Sequence, residues 1–217
     1  MKEKRKTLII GILMVMLVAL GGIVYYYWYQ NTNYVSTEDA KVSADFVSVT
    51  PQISGKLLEL NVDEGDKVTK NEILASQDMN GLPDTSVEQS LVRSPINGVV
   101  VKRQGTVGEL LSQGQTLITL MDPSKIYIAA NIEETKLGKV KVGQPVEIAI
   151  DQYSSKKFTG KVKSIGEVSN SALSLLSSST SGTFTKVVQR ISIKIELDDF
   201  DSKILPGTNA VVKIHVK

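Results

Sequence analysis

The chain has 217 residues, 41% of them hydrophobic and 22% charged, with a formal net charge of +2 and no cysteine. That length accommodates one or two domains, and the missing cysteine excludes disulfides, thiolate metal centres, a cysteine nucleophile and an acylated lipoprotein anchor. Lys2, Glu3, Lys4, Arg5 and Lys6 sum to +3, which leaves the remainder at about −1, too little positive charge for a nucleic-acid-binding face.

The first predicted element is a transmembrane helix. Leu8 to Tyr29 is uncharged and almost wholly apolar. As a helix, these 22 residues extend about 33 Å, enough for a hydrocarbon core of about 30 Å. The basic cluster before it predicts a cytoplasmic N-terminus, with the remainder facing outward. Tyr25, Tyr26, Tyr27, Trp28 and Tyr29 form an aromatic belt suited to the outer interface. A cleaved signal peptide competes, but its apolar region is about 7–15 residues and ends in small residues. Here the run is longer and its exit is bulky, so a retained anchor is expected. Residues 1–30 are thus read as basic tail and anchor, and 31–45 as linker and entry strand.

Next comes a repeat. The stretch ISGKLLELNVDEGDKVTKNEILA from Ile53 and the stretch INGVVVKRQGTVGELLSQGQTLI from Ile96 share one pattern at an offset of 43. That offset places Gly98 on Gly55, Gly108 on Gly65, Leu111 on Val68 and Leu117 on Leu74. Leu58, Leu60 and Val62 alternate with Glu59 and Asn61, the period of a half-buried strand. Asp63-Glu64-Gly65-Asp66 predicts a turn in which Gly65 takes a positive φ, and a second strand follows around Ile73-Leu74-Ala75. Gly55, Gly65, Gly98 and Gly108 are read as the structural turns of the two halves. Two such units related by a pseudo-twofold axis make a small β-sandwich over residues 46–122. Between them, Asn80-Gly81 and Leu82-Pro83-Asp84 punctuate a short connector, 79–91.

Residues 123–217 keep a β pattern. Ile126, Ile128, Ala130 and Ile132 alternate along one face, as do Val146, Ile148 and Ile150. Ile191, Ile193, Ile195 and Leu197 oppose Arg190, Ser192, Lys194 and Glu196 in the clearest strand, Val187 to Leu197, and Val212, Ile214 and Val216 close the chain. Such strands suit a small antiparallel barrel. A short helix is expected from Glu133 to Val140, capped by Asn131. The Ser/Thr-rich stretch 169–185 reads as a surface loop. Its Leu173, Leu175 and Leu176, with Ala172, are apolar enough for a partner contact.

No catalytic constellation is evident. The single histidine, His215, falls on the outward face of a terminal strand and cannot by itself form a zinc site or a triad. No phosphate-binding glycine loop occurs. Asp63, Glu64 and Asp66 read as a solvated turn, as do Asp198, Asp199 and Asp201, which lack EF-hand spacing. No enzyme activity, cofactor or metal is expected.

Several segments carry a family resemblance. Ile53-Ser54-Gly55 with Val62 to Val68, and Ser94 to Val100, resemble the two halves of a biotinyl/lipoyl-like domain. True carriers of that type modify a hairpin lysine, and no lysine occurs from Asn71 to Val101. Thr37 to Val42 with Val49 to Gly55, Ile132 to Leu137, Val142 to Val146 and Lys186 to Ile191 together resemble HlyD-type membrane fusion proteins, the periplasmic adaptor subunits. Lys186 to Ile191, with the preceding Ser171 to Leu176, is most similar to the EmrA branch. The resemblance implies a mainly β protein: an N-terminal transmembrane helix, a lipoyl-like β-sandwich and a small antiparallel β-barrel. It also implies a non-enzymatic adaptor that associates laterally into homo-oligomers and serves a cytoplasmic-membrane drug exporter, major-facilitator in preference to ABC. Long adaptors insert a helical hairpin between the lipoyl halves to reach an outer-membrane channel. The 13-residue connector here spans at most about 20 Å as a helix, so no such channel is expected and a single-membrane, Gram-positive envelope is the simplest setting. A membrane-anchored sensing module without a transporter is the rival reading.

Overall fold

The structure is a computed structural model that describes residues 2–78, 87–153, 156–169, 188–198 and 204–217. In helix α1 (Lys2–Asn33) the large apolar side chains described from Leu13 to Val24 are exposed: Leu17 is 68% exposed and Val18 71%. Its stretch Leu13–Asn33 is long and apolar enough to cross a membrane, and a continuous apolar surface of this size needs a cover other than water. The helix passes without a loop into strand β1 (Tyr34–Val49).

Beyond α1 the chain is mostly strand and divides into two compact units. The first holds α1, β1 as far as Lys41, the stretch from Ile128, and the final strand from Thr208. Its strands are β1, β8 (Ile118–Glu133), β9 (Pro145–Ile150), β10 (Lys157–Ser169), β11 (Arg190–Leu197) and β12 (Asn209–His215). They pair in the order β1-β12-β9-β10-β11-β8, and β8 pairs again with β1, which closes a six-stranded barrel. Closure leaves no free edge. The interior follows from alternation: Ile128, Ala130, Ile132, Val146, Ile148 and Ile150 are each at most 2% exposed. Ile148 lies between Phe158 and Val212 in register, and Val162 opposes Ile195.

Two details of this unit differ from expectation. The helix α3 (Glu134–Leu137) is one turn only, and its N-cap is Glu133, with no side-chain cap bond. Asn131 lies in β8 instead, where its carbonyl accepts the Thr37 hydroxyl at 3.0 Å. The strand expected from Val187 starts at Arg190. His215 lies on the outward side of β12, as expected, opposite the buried Val212 and Ile214, and is half-buried there because Tyr34 and Glu147 flank it. The segment 170–187, with Leu173, Leu175 and Leu176, lies outside the described residues, as do Asp199 and Asp201.

The second unit runs from Val42 to Tyr127 with a return segment ending at Gly207, whose N–H donates to the Val42 carbonyl at 2.8 Å. Its further strands are β2 (Gly55–Leu60), β3 (Lys67–Val68), β4 (Ile73–Gln77), β5 (Leu91–Arg93), β6 (Gly98–Arg103) and β7 (Leu110–Leu111). One sheet has the order β5-β4-β2-β7, and the opposing layer is β3-β6-β8.

The offset of 43 governs the hydrogen bonds of this unit. Gly55↔Leu111 and Lys56↔Leu110 in β2–β7 become Gly98↔Val68 and Val99↔Lys67 in β6–β3. Asn61 N–H donates to Leu74 at 2.8 Å, and Gln104 N–H to Leu117 at 2.9 Å. Asn71 N–H donates to Ser94 at 2.8 Å, and Gly114 N–H to Pro51 at 3.1 Å. The core obeys the same rule: Val49/Val92, Leu57/Val100, Val68/Leu111, Leu74/Leu117 and Ala75/Ile118 are buried pairs 43 apart. Full burial of each leucine contributes about 1.5–3 kcal/mol, and each comes from a half that exposes that face when alone.

The expected inward set Leu58, Leu60, Val62 is corrected by a bulge. The β2–β4 register shifts between Leu57 and Glu59, so Leu57 is fully buried and Leu58 is 48% exposed, while Val62 stays inside. The same irregularity recurs 43 residues on, between Val100 and Lys102. One extra residue reverses the side-chain phase of a strand, which an alternation count does not see.

Candidate functional site

The repeat's four glycines fall into two kinds. Gly65 and Gly108 hold φ of +97° and +94°, each in a tight turn braced by a carboxylate: Asp66 accepts from Asp63 N–H at 2.8 Å and Glu109 from Thr106 N–H at 3.0 Å. Gly55 and Gly98 are not turn residues. Each opens a strand, β2 or β6, at a close backbone approach: a Cβ on Gly98 would stand 2.5 Å from the Met121 carbonyl oxygen.

Of the connector, residues 79–86 lie outside the described set. Its remainder is regular: α2 (Val87–Ser90) is one turn, and Leu91 already belongs to β5.

The acidic turn is structural in its bonding. Asp63 pairs with Arg103 at 3.0 Å, and Glu64 accepts the Arg103 N–H at 3.1 Å. Among the described residues no group of three or more His, Asp or Glu is placed to hold a metal ion. His215 Nε2 lies 3.0 Å from Glu147 and its ring is edge-on to Tyr34 at 4.6 Å. Two carboxyls are held below their ordinary range. The Ser124 hydroxyl, 2.6 Å from Asp122, is the chief cause for Asp122. The Lys136 ammonium, 2.8 Å from Glu133, is the chief cause for Glu133.

A cluster of rings and polar groups lies where α1 meets its own barrel. Tyr25 stacks with Tyr29 at 6.5 Å, and Tyr29 meets Tyr34 edge-on at 6.5 Å. Trp28 lies 6.3 Å from Tyr25, and Tyr26 and Tyr27 form an edge contact at 6.0 Å. The belt residues thus continue as a ring-to-ring series into the first strand. The helix end is fastened there. Lys139 Nζ donates to the Asn31 carbonyl at 2.9 Å, and Val216 N–H donates to the Asn33 carbonyl at 2.9 Å. These bonds satisfy carbonyls that a helix C-terminus leaves without partners, and the ammonium suits its negative end. Lys213 Nζ stands 3.9 Å above the Tyr34 ring. Leu8 lies in α1, with nothing described of its side chain. Sequence reasoning found the aromatic belt and missed Lys139, Lys213 and Tyr34, which converge from distant parts of the chain. The one legible signal was Tyr34 following the belt within a turn and a half.

Residues 45–122 match a family model described as the barrel-sandwich hybrid domain of RND membrane fusion proteins, and residues 126–214 match one described as a YknX-like beta-barrel domain. The chain is 37% identical over 187 residues to a protein of Bacillus subtilis named as an efflux system component, YhbJ, covering 85% of this chain and 81% of that one. It is 34% identical to the multidrug export protein EmrA of Haemophilus influenzae over 60% of this chain, but spans only 35% of that relative's length. The solved periplasmic adaptor EmrA superposes with a TM-score of 0.57 at 17% identity, over 84% of this chain and 98% of that one, a likeness of fold. The paired glycine turns, the sandwich without a carrier lysine, the six-stranded barrel and these matches lead to one assignment: the chain belongs to the membrane fusion protein family of efflux adaptors.

Proposed function

We propose that the protein is the membrane-anchored adaptor of a multidrug or small-molecule exporter and couples to a cytoplasmic-membrane transporter of the major-facilitator type. The observation that carries this reading is the uninterrupted passage of an exposed apolar helix into the barrel. It supports a single-pass anchor that leaves the two β units on the outer side. In this reading residues 1–30 are tail and anchor, 46–122 the lipoyl-like sandwich and 123–217 the barrel. The adaptor itself performs no chemistry; the transporter supplies the energy. Copies associate laterally, and Leu173, Leu175 and Leu176 form a partner contact. The short connector suits a single-membrane envelope with no outer-membrane channel to reach.

The test is crosslinking in native membranes, followed by mild detergent extraction and mass spectrometry of the tagged chain. A polytopic permease of the major-facilitator type is the expected partner. Recovery of an ABC exporter would change the transporter class. Repeated recovery of no transporter, with export unchanged on deletion, would sink the adaptor reading in favour of a sensing module.

A further inference from the structure

The last turn of α1 and the barrel beside it enclose a cleft of about 220 Å3, lined in part by Lys136, Lys139, Lys213, Tyr27, Gln30 and Asn31. Its lining carries three cations and no carboxylate. Lys136 comes from α3, Lys139 from the turn after it and Lys213 from β12, so only the fold unites them. Lys139 Nζ contacts the Asn31 carbonyl, Lys213 Nζ the Tyr34 ring and Lys136 Nζ the Glu133 carboxylate. An ammonium has three donors, so these contacts orient the side chains without exhausting them. Even with Glu133 neutralising Lys136, two positive charges are left over.

The cleft's depth follows from the helix. Tyr27 belongs to the aromatic belt, and Asn31 is one turn further, about 6 Å along the axis. If the belt lies at the bilayer interface, the cleft opens at the level of the lipid headgroups. Both the tyrosine hydroxyl and the side-chain amides of Gln30 and Asn31 are additional donors suited to phosphate oxygens. The exposed apolar side chains of Ile23 and Val24 lie one to two turns below, along the path of an acyl chain.

We propose that this cleft binds the headgroup phosphate of an anionic phospholipid from the outer leaflet. The proposal rests on the anchored reading above. It makes the barrel's membrane-proximal end a lipid-reading surface as well as an attachment for the helix.

Trp28, the only tryptophan, follows the lining residue Tyr27 in α1 and serves as the reporter. The full chain is reconstituted in mixtures of brominated phosphatidylglycerol or brominated phosphatidylcholine with their unbrominated forms. Quenching of Trp28 then gives the relative affinity for the two lipids. The basic N-terminal tail, at the opposite end of the helix, is too far away to contribute. Phosphatidylglycerol is expected to be favoured by about fivefold, the factor for one lysine at a membrane surface. The preference should fall to about one in Lys136→Gln/Lys139→Gln/Lys213→Gln and persist in Lys157→Gln. The charge-conserving Lys136→Arg/Lys139→Arg/Lys213→Arg should retain it, which separates loss of charge from loss of fold. No lipid preference in the unsubstituted chain, or an unchanged one in the triple glutamine variant, overturns the proposal. Quenching by neither lipid overturns both it and the anchored reading.

Discussion

Gly65 and Gly108, 43 residues apart, each donate a backbone N–H to the other half within one layer at 2.8 Å: Gly65 to Val100, and Gly108 to Leu57. Their acceptors are themselves 43 apart, so the two bonds exchange under the pseudo-twofold. Both glycines hold a positive φ, and neither has a neighbour closer than 3.9 Å to the place of a Cβ. The requirement for glycine is therefore conformational, not steric.

Gly65→Ala and Gly108→Ala should each cost about 1–2 kcal/mol, through backbone strain alone. The two losses should be similar in size. Urea unfolding of the detergent-solubilised chain measures both, and a clear inequality would break the equivalence of the halves. The αL position next to each hairpin makes a contrast: it is Asn71 at φ +70° in one half and Gly114 at +80° in the other. Gly114→Asn should cost well under about 1 kcal/mol, because asparagine tolerates this conformation.

Gly98→Ala should be worse than Gly55→Ala. A Cβ would lie 2.5 Å from the Met121 oxygen in the first case and 3.0 Å from the Asp78 oxygen in the second. Pushing β6 off β8 should cost about 1–3 kcal/mol, read as a lowered unfolding midpoint, with Gly55→Ala closer to the parent.

Asp122 supplies a pH dependence. Ser124 holds its carboxyl below the usual carboxylate range, so the folded state favours the ionised form. Its contribution is fully present above the unfolded pKa, about 3.9, and is lost as pH falls through the lower folded value. Asp122→Asn should therefore reduce stability at neutral pH and flatten the acid limb of the stability curve. An acid limb unchanged by the substitution would contradict the assignment.

Phe158 is 2% exposed inside the barrel, with the Tyr153 ring edge-on at 5.5 Å. Phe158→Ala should cost about 3–5 kcal/mol, and Phe158→Leu considerably less. Val142, 64% exposed, is the control: Val142→Ala should stay within about 0.5 kcal/mol.

Features written in local chemistry were legible from the sequence. The long apolar helix was readable from an uncharged apolar run with rings at its exit, and the sandwich from glycine turns recurring at one interval. The barrel interior was readable at Ile128, Ala130 and Ile132, because alternation along one strand needs no partner to be seen. Misreadings arose where a non-local constraint overrode a local one. Leu58 turns outward at a bulge that leaves no trace in the alternation of Leu58, Leu60 and Val62. Asn131 looked like a helix cap, but its carbonyl is held by Thr37, 94 residues away in the chain. His215 does face outward, but its neighbours Tyr34, at the far end of the chain, and Glu147 are not visible locally. The lysine cleft was invisible for the same reason: Lys136 and Lys139 are close in sequence, and nothing local announces that Lys213 joins them.

The reciprocal bonding of the sandwich has a consequence for crowded copies. Each half offers its turn amides and its apolar face to the other, so the unit is a dimer folded into one chain. A half presented by a neighbouring molecule finds the same acceptors and the same five core pairings. An exchange of halves between adjacent copies would keep each of these hydrogen bonds.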